Sequence, residues 1–126
     1  MIPTFIRAFE ASAAIAGRRI VAFSDAAASS KIAQAATATA PALGVSEAMG
    51  AEAGGMCDVV LAGMAAVDLG GTVTAGAPLM ADAEGKAIAA SAAAATTRRV
   101  VGFAIQPGVA GDIIDIWLAP SLLDRA

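Results

Sequence analysis

The chain contains no histidine, no tyrosine, one cysteine and one tryptophan. Without histidine every Ser-His and Cys-His dyad is out of reach, and with one cysteine the usual zinc ligand sets cannot be assembled. Cys57 cannot close an intramolecular disulfide, so nothing speaks for an oxidising compartment. Lacking an acid–base partner, it is expected to pack as a small hydrophobe. Basic charge is also scarce. Eight Lys and Arg stand against eleven Asp and Glu, for a net charge of −3. Apart from Arg18-Arg19 and Arg98-Arg99 the cations are dispersed, which disfavours a nucleic-acid partner, because such binding needs a basic face. Long hydrophobic runs are missing as well. The longest uncharged stretch, residues 32–46, carries Gln34, Thr37, Thr39 and Pro41 and falls short of the ~18 apolar residues of a spanning helix. Residues 1–10 lack the basic-then-apolar order of a secretory signal. The expectation is a soluble protein with no membrane partner, no metal and no cofactor.

What is present is mostly small. The apolar fraction is 58%, and about half of it is the methyl groups of 36 alanines. Leu, Ile, Val and Phe number 30 of 126 residues, above the roughly 20% level below which chains tend to disorder. One compact domain is the natural outcome at this length. Short β-branched or alternating runs separated by Gly, Asp and Pro recur at residues 19–24, 31–36, 42–46, 57–62, 65–69, 79–81, 86–90, 99–106 and 112–118. They predict an all-β fold, a small barrel or sandwich of β-clip or β-tulip type. The alanine run at 92–95 favours helix by propensity, but Thr96-Thr97 and the flanking strands argue for a loop or edge segment.

The chain also repeats itself. Leu43-Gly44-Val45-Ser46, a Gly/Ala loop and Gly55-Met56-Cys57-Asp58-Val59-Val60-Leu61 match Val101-Gly102-Phe103-Ala104, a Gly/Pro loop and Gly111-Asp112-Ile113-Ile114-Asp115-Ile116-Trp117-Leu118. Upstream, Val21-Ala22-Phe23-Ser24-Asp25 before Lys31-Ile32-Ala33 matches Leu79-Met80-Ala81-Asp82 before Lys86-Ala87-Ile88. A pseudo-duplicated β architecture follows, in which similar strand sets bury one face against each other. Residues 1–17 stand outside this match and residues 18–126 form the single β domain. Ile2, Phe5, Ile6 and Phe9 fall at the spacing of one helix face, so residues 1–17 read as a helix or strand packed on the barrel, or as an arm that docks on a partner. In the arm reading those four residues are the contact set.

Catalytic groups are hard to find. Asp58 and Asp115 occupy matching positions, but an Asp flanked by apolar residues in a strand is ordinarily its solvent face. Asp112 and Asp115 could hold a metal only with further oxygens, and no Asp-rich loop supplies them. Gly70-Gly71-Thr72-Val73-Thr74-Ala75-Gly76 lacks the Lys-Ser/Thr of a phosphate loop and reads as a turn with a strand entry. Residues 82–86 read as a hairpin tip. Trp117 is expected on an inward face with Ile114 and Ile116 as a core anchor. No enzymatic activity is expected. An alanine-rich core removes little area from water at roughly 25 cal/mol per Å², so a homo-oligomer is expected to supply further burial, a trimer ahead of a dimer.

The stretch Gly71-Thr72-Val73-Thr74-Ala75-Gly76-Ala77-Pro78-Leu79-Met80-Ala81-Asp82-Ala83-Glu84-Gly85-Lys86-Ala87, followed by Val101-Gly102-Phe103-Ala104 and Gly111-Asp112-Ile113-Ile114-Asp115-Ile116, resembles the capsid decoration (cement) proteins of tailed phages. The resemblance covers roughly residues 18–118. It implies a β-rich, non-enzymatic, oligomeric protein made in the host cytoplasm and carried on the outer capsid surface of the virion. Such a protein bridges major capsid protein subunits and braces the expanded shell. The alternative is a small β-clip or barrel ligand-binding or enzymatic module, such as a dUTPase-like trimer, which needs an Asp in a Gly-rich hairpin plus a Tyr or Phe stack; the chain has no Tyr and no such hairpin. An ice-binding or adhesive module would need Thr ranks at one period, and the Thr pairs here do not recur so.

Overall fold

The computed structural model describes residues 2–25, 27, 30–92 and 94–125, with Arg125 described by its backbone alone. Met1 at the head of the N-terminal segment, Ala93 in the alanine run and Ala126 at the end of the expected domain lie outside the described residues. Nine strands follow in order: β1 (Pro3–Glu10), β2 (Ile20–Phe23), β3 (Ile32–Gln34), β4 (Ala42–Ser46), β5 (Met56–Asp68), β6 (Pro78–Ala81), β7 (Ala87–Ala89), β8 (Thr96–Ala104) and β9 (Ile113–Arg125). They form one antiparallel sheet in the order β3-β2-β4-β5-β9-β8-β6-β7, with β1 added to β5. The all-β expectation holds. Each expected run overlaps a strand, although residues 57–62 and 65–69 meet the single long β5.

The strand order is a palindrome about the β5–β9 pair, and the registers show why. In one half Val21 faces Gln34 and Gly44, and in the other Leu79 faces Ala89 and Gly102. Val45 faces Val60, and Phe103 faces Trp117. Both Gly44 and Gly102 are places of close backbone approach, since an added Cβ would run into the carbonyl oxygen of Val60 or of Trp117 respectively. The duplication is therefore built into the backbone as well as the sequence.

It also reaches further than the sequence match. β1 pairs with the first part of β5, Ile6 opposite Val60 and Phe9 opposite Cys57. The second part of β5 pairs with β9 in the same way, Met64 opposite Trp117 and Val67 opposite Ile114. Ala11 bridges to Ile32 in parallel, as Leu69 does to Ala87, and Ile15 bridges to Ala51 in antiparallel fashion, as Val73 does to Gly108. Ala11 to Leu69 and Ile15 to Val73 are both steps of 58 residues. Their hydrogen bonds repeat too: Ile15 N donates to Ala51 O at 2.8 Å, and Val73 N to Gly108 O at 2.9 Å. Residues 3–61 and 61–118 are thus two copies of one unit, and β5 serves both, closing the first and opening the second.

Of the alternatives for the N-terminal segment the structure has the packed strand, at residues 3–10, and one reading is corrected: the segment belongs to the duplication instead of standing outside it. The helical spacing of Ile2, Phe5, Ile6 and Phe9 loses to the ladder that β5 offers, because tertiary pairing outweighs a short local period and Ile, Thr and Phe suit a pleated surface.

Each unit encloses its own apolar cluster. Phe9, Ala11, Ile15, Val21, Ile32, Cys57 and Val59 fill the first. Their counterparts Val67, Leu69, Val73, Leu79, Ala87, Ile114 and Ile116 lie in the larger second cluster, together with Ile20, Val45 and Val60 from the opposite face of the first unit. The switch of faces occurs at Gly63, where β5 passes from β1 to β9 with φ +87°. Below that bend Val60 looks toward the second unit, whereas beyond it Ala65 and Val67 do. The second unit is latched on by its β6–β7 hairpin tip. Ile20 N donates to Gly85 O at 2.7 Å, Arg19 Nη1 to Glu84 O at 3.0 Å, and Gln34 Nε2 to the same oxygen at 3.2 Å. Arg19 Nε also reaches Asp68 Oδ2 at 3.1 Å.

Candidate docking surface

Several polar side chains hold turns together. Asp82 Oδ1 accepts from Glu84 N at 2.8 Å and Lys86 N at 2.9 Å, which shapes the expected hairpin tip. Asp112 Oδ2 accepts from Val109 N at 3.0 Å and holds the turn into β9. Asp58 and Asp115 do occupy equivalent positions, but the registers set Asp58 against Ala8 and Asp115 against Ala66, so the sheet does not pair them. No group of three or more His, Cys, Asp or Glu side chains among the described residues could hold a metal ion. Cys57 is buried, as expected; burial first, then the charges of Asp58 and Glu47, push its thiol pKa up and keep it in the unreactive protonated form. Among the described residues no helix is long and apolar enough to cross a membrane.

Apolar surface is what the fold leaves on display. Across four neighbouring strands of the second unit, Met64, Trp117, Phe103 and Pro78 stand opposite one another in a single row. Phe103 and Trp117 are ring neighbours, with centroids 6.0 Å apart and planes tilted by 41°. Trp117 is 56% exposed, the reverse of the core position expected for it. The reason is the two-residue period: in β9 the side chains of Ile114, Ile116 and Leu118 are buried, so Trp117 shares the outward face with Asp115 and Ile113. In the first unit the same row reads Ile6, Val60, Val45 and Ile20. There Val60 is 1% exposed, because the second unit covers it.

The four residues of the N-terminal contact set divide. Phe9 is 5% exposed, stacks edge-on against Phe23 with centroids 6.1 Å apart, and belongs to the first core. Ile2, Phe5 and Ile6 are exposed. Ile6 lines a shallow depression of about 450 Å³ with Met49 and Met56, both exposed, and with Glu47 and Asp58. The two methionines were not singled out by sequence reasoning. They have no periodicity to mark them, and only the fold brings them to one depression with Ile6.

No family model matches the chain, and no curated protein is similar to it in sequence. Its fold, however, is similar to a solved one. The crystal structure of the N base of the head fiber protein gp8.5 of bacteriophage phi29 aligns with a TM-score of 0.69 at 19% sequence identity, covering 96% of this chain and 98% of that one.

Proposed function

We propose that this protein is a non-enzymatic structural component of a phage virion. It attaches to the outer surface of the head, bridges major capsid protein subunits and self-associates as a homotrimer. The observation that carries this reading is the end-to-end likeness of the backbone to the base of a phage head fiber, over 96% of this chain and 98% of that one. The chemistry agrees with it: Asp82 and Asp112 cap turns, the thiol is buried, and the exposed surface offers apolar side chains for contact. Ile2, Phe5 and Ile6 with Met56 form the head-facing contact, since large apolar side chains left exposed call for a covering partner.

The test is co-sedimentation of purified protein with expanded heads of the cognate phage, alongside a nucleotide-binding measurement on the free protein. Saturable attachment to heads without nucleotide binding is the expected result, and Phe5→Ser with Ile6→Ser should weaken attachment while the chain stays folded. Failure of the unaltered protein to bind heads at any concentration would overturn the reading.

A further inference from the structure

We infer that the outward row of the second unit, centred on Trp117 and Phe103, seats the first unit of a second copy of this chain, repeating between molecules the contact that joins the two units within one. The inference rests on the self-association in the proposed function and names its surface. Within the chain that contact has two sides. One is the row Ile20, Val45 and Val60 on the outer face of the first unit. The other is the open side of the second unit, where Ala81, Val101 and Leu118 are buried against it.

Both sides occur again, uncovered. The row repeats as Pro78, Phe103 and Trp117, with aromatic rings in place of Val45 and Val60 and more than half of the indole exposed. The open side repeats in the first unit, where the counterparts of Ala81, Val101 and Leu118 are Phe23, Leu43 and Leu61, all half-buried. A single chain therefore carries one filled contact and one empty half of it at each end. The halves are structural counterparts of two surfaces that already meet inside the molecule, with bulkier side chains on the open side, so the second copy rests on that side instead of projecting into it as Ile20, Val45 and Val60 do into the second unit. Such a contact is head-to-tail, and it closes into a ring when its rotation divides a full turn.

The polar latch is not repeated. Arg19, Gln34 and the Ile20 amide correspond to Ala77, Ala89 and Pro78, none of which can donate in the same way. The contact between copies is thus apolar and weaker than the one within the chain, and the aromatic pair replaces the lost hydrogen bonds.

Trp117 is the sole tryptophan, so the unaltered protein reports on its own contact. Sedimentation velocity and tryptophan emission are measured over one dilution series without heads. Emission should shift to the red as the sedimentation coefficient falls. Trp117→Asp and Leu43→Asn, each checked for a native far-UV spectrum, should each weaken self-association at least about 30-fold, the loss of a strong anchor. Mixed together they should form a dimer that neither forms alone, because each retains one intact side. An oligomer whose indole emits as if in water overturns the inference, as does a chain that stays monomeric throughout. So does an emission shift that requires added heads, which would make the row a capsid contact. These outcomes are independent of head binding, which the co-sedimentation measures separately.

Discussion

The two units share a backbone and differ in how they are filled. In the first, Phe9, Phe23 and Ile32 stand where the second has Val67, Ala81 and Ala87. The bulky set belongs to the unit that must fill its interior from its own strands. The small set belongs to the unit into which Ile20, Val45 and Val60 project from outside. Packing density is nearly constant in protein interiors, so volume supplied across the unit boundary has to be given up within it. The outer rows differ in the opposite sense at their centres, Val45 and Val60 where covered and Phe103 and Trp117 where bare. A tandem duplication thus keeps its hydrogen-bond scaffold while its side chains diverge according to what lies against each face.

The sharpest way to break this comparison is at the buried pair in which one unit holds an aromatic ring and the other does not. Phe9→Ala should cost about 3–5 kcal/mol, since it empties an aromatic site and removes the edge-on partner of Phe23. Val67→Ala, at the equivalent position, should cost about 2 kcal/mol, from fewer methyl groups and a core able to settle around a smaller void. Chemical denaturation of both variants measures the difference. Equal costs would mean that the first core draws no more on Phe9 than the second does on Val67. Phe9 is also the residue that separates a built-in strand from a loose arm, because an arm would lose little stability on its truncation.

Much of the sheet was legible because glycine punctuates it and its strands alternate. The pattern at residues 42–46 marks a strand with the bounds that β4 has. Gly63 falls in the gap between the expected runs 57–62 and 65–69, whereas at φ +87° it bends one strand from the first partner to the second. Such a corner looks like a stop when only the sequence is seen. The N-terminal repeat was missed because little but character survives in it: Phe9-Glu10-Ala11 against Val67-Asp68-Leu69, then Ile15 against Val73. An apolar-acid-apolar triplet followed four residues later by a β-branched side chain was the available signal, 58 residues from its copy. Trp117 was misplaced by its size. Its parity with Asp115 was the better guide, and the docking row follows from that parity once the registers of β5, β8 and β6 are known.

Where the units agree, the comparison is sharpened by equal effects. Gly44→Ala and Gly102→Ala each drive a methyl group toward a carbonyl oxygen of the neighbouring strand, that of Val60 in one unit and of Trp117 in the other. Relief requires the two strands to separate, so each should cost about 1–3 kcal/mol, and the two costs should match closely. Thermal unfolding of the pair checks this. A large cost at one site and none at the other would show that the two approaches carry unequal constraint despite their common register.

The smallest effect on the isolated chain is expected at Trp117, which would be among the largest were it a core residue. Truncation to Ala removes a ring that is more than half in solvent and one aromatic neighbour at 6.0 Å. The loss should be about 1 kcal/mol, the order of a single aromatic pair, well short of the ~3–5 kcal/mol of a buried indole. Concentration separates this local term from a contact between copies. When association is coupled to folding, the unfolding temperature rises with protein concentration, because binding of a partner favours the folded state by mass action. The unaltered chain should therefore gain stability on concentration, while Trp117→Ala should unfold at one temperature throughout. A variant that kept the full concentration dependence would detach Trp117 from self-association and leave its exposure for some other partner to explain.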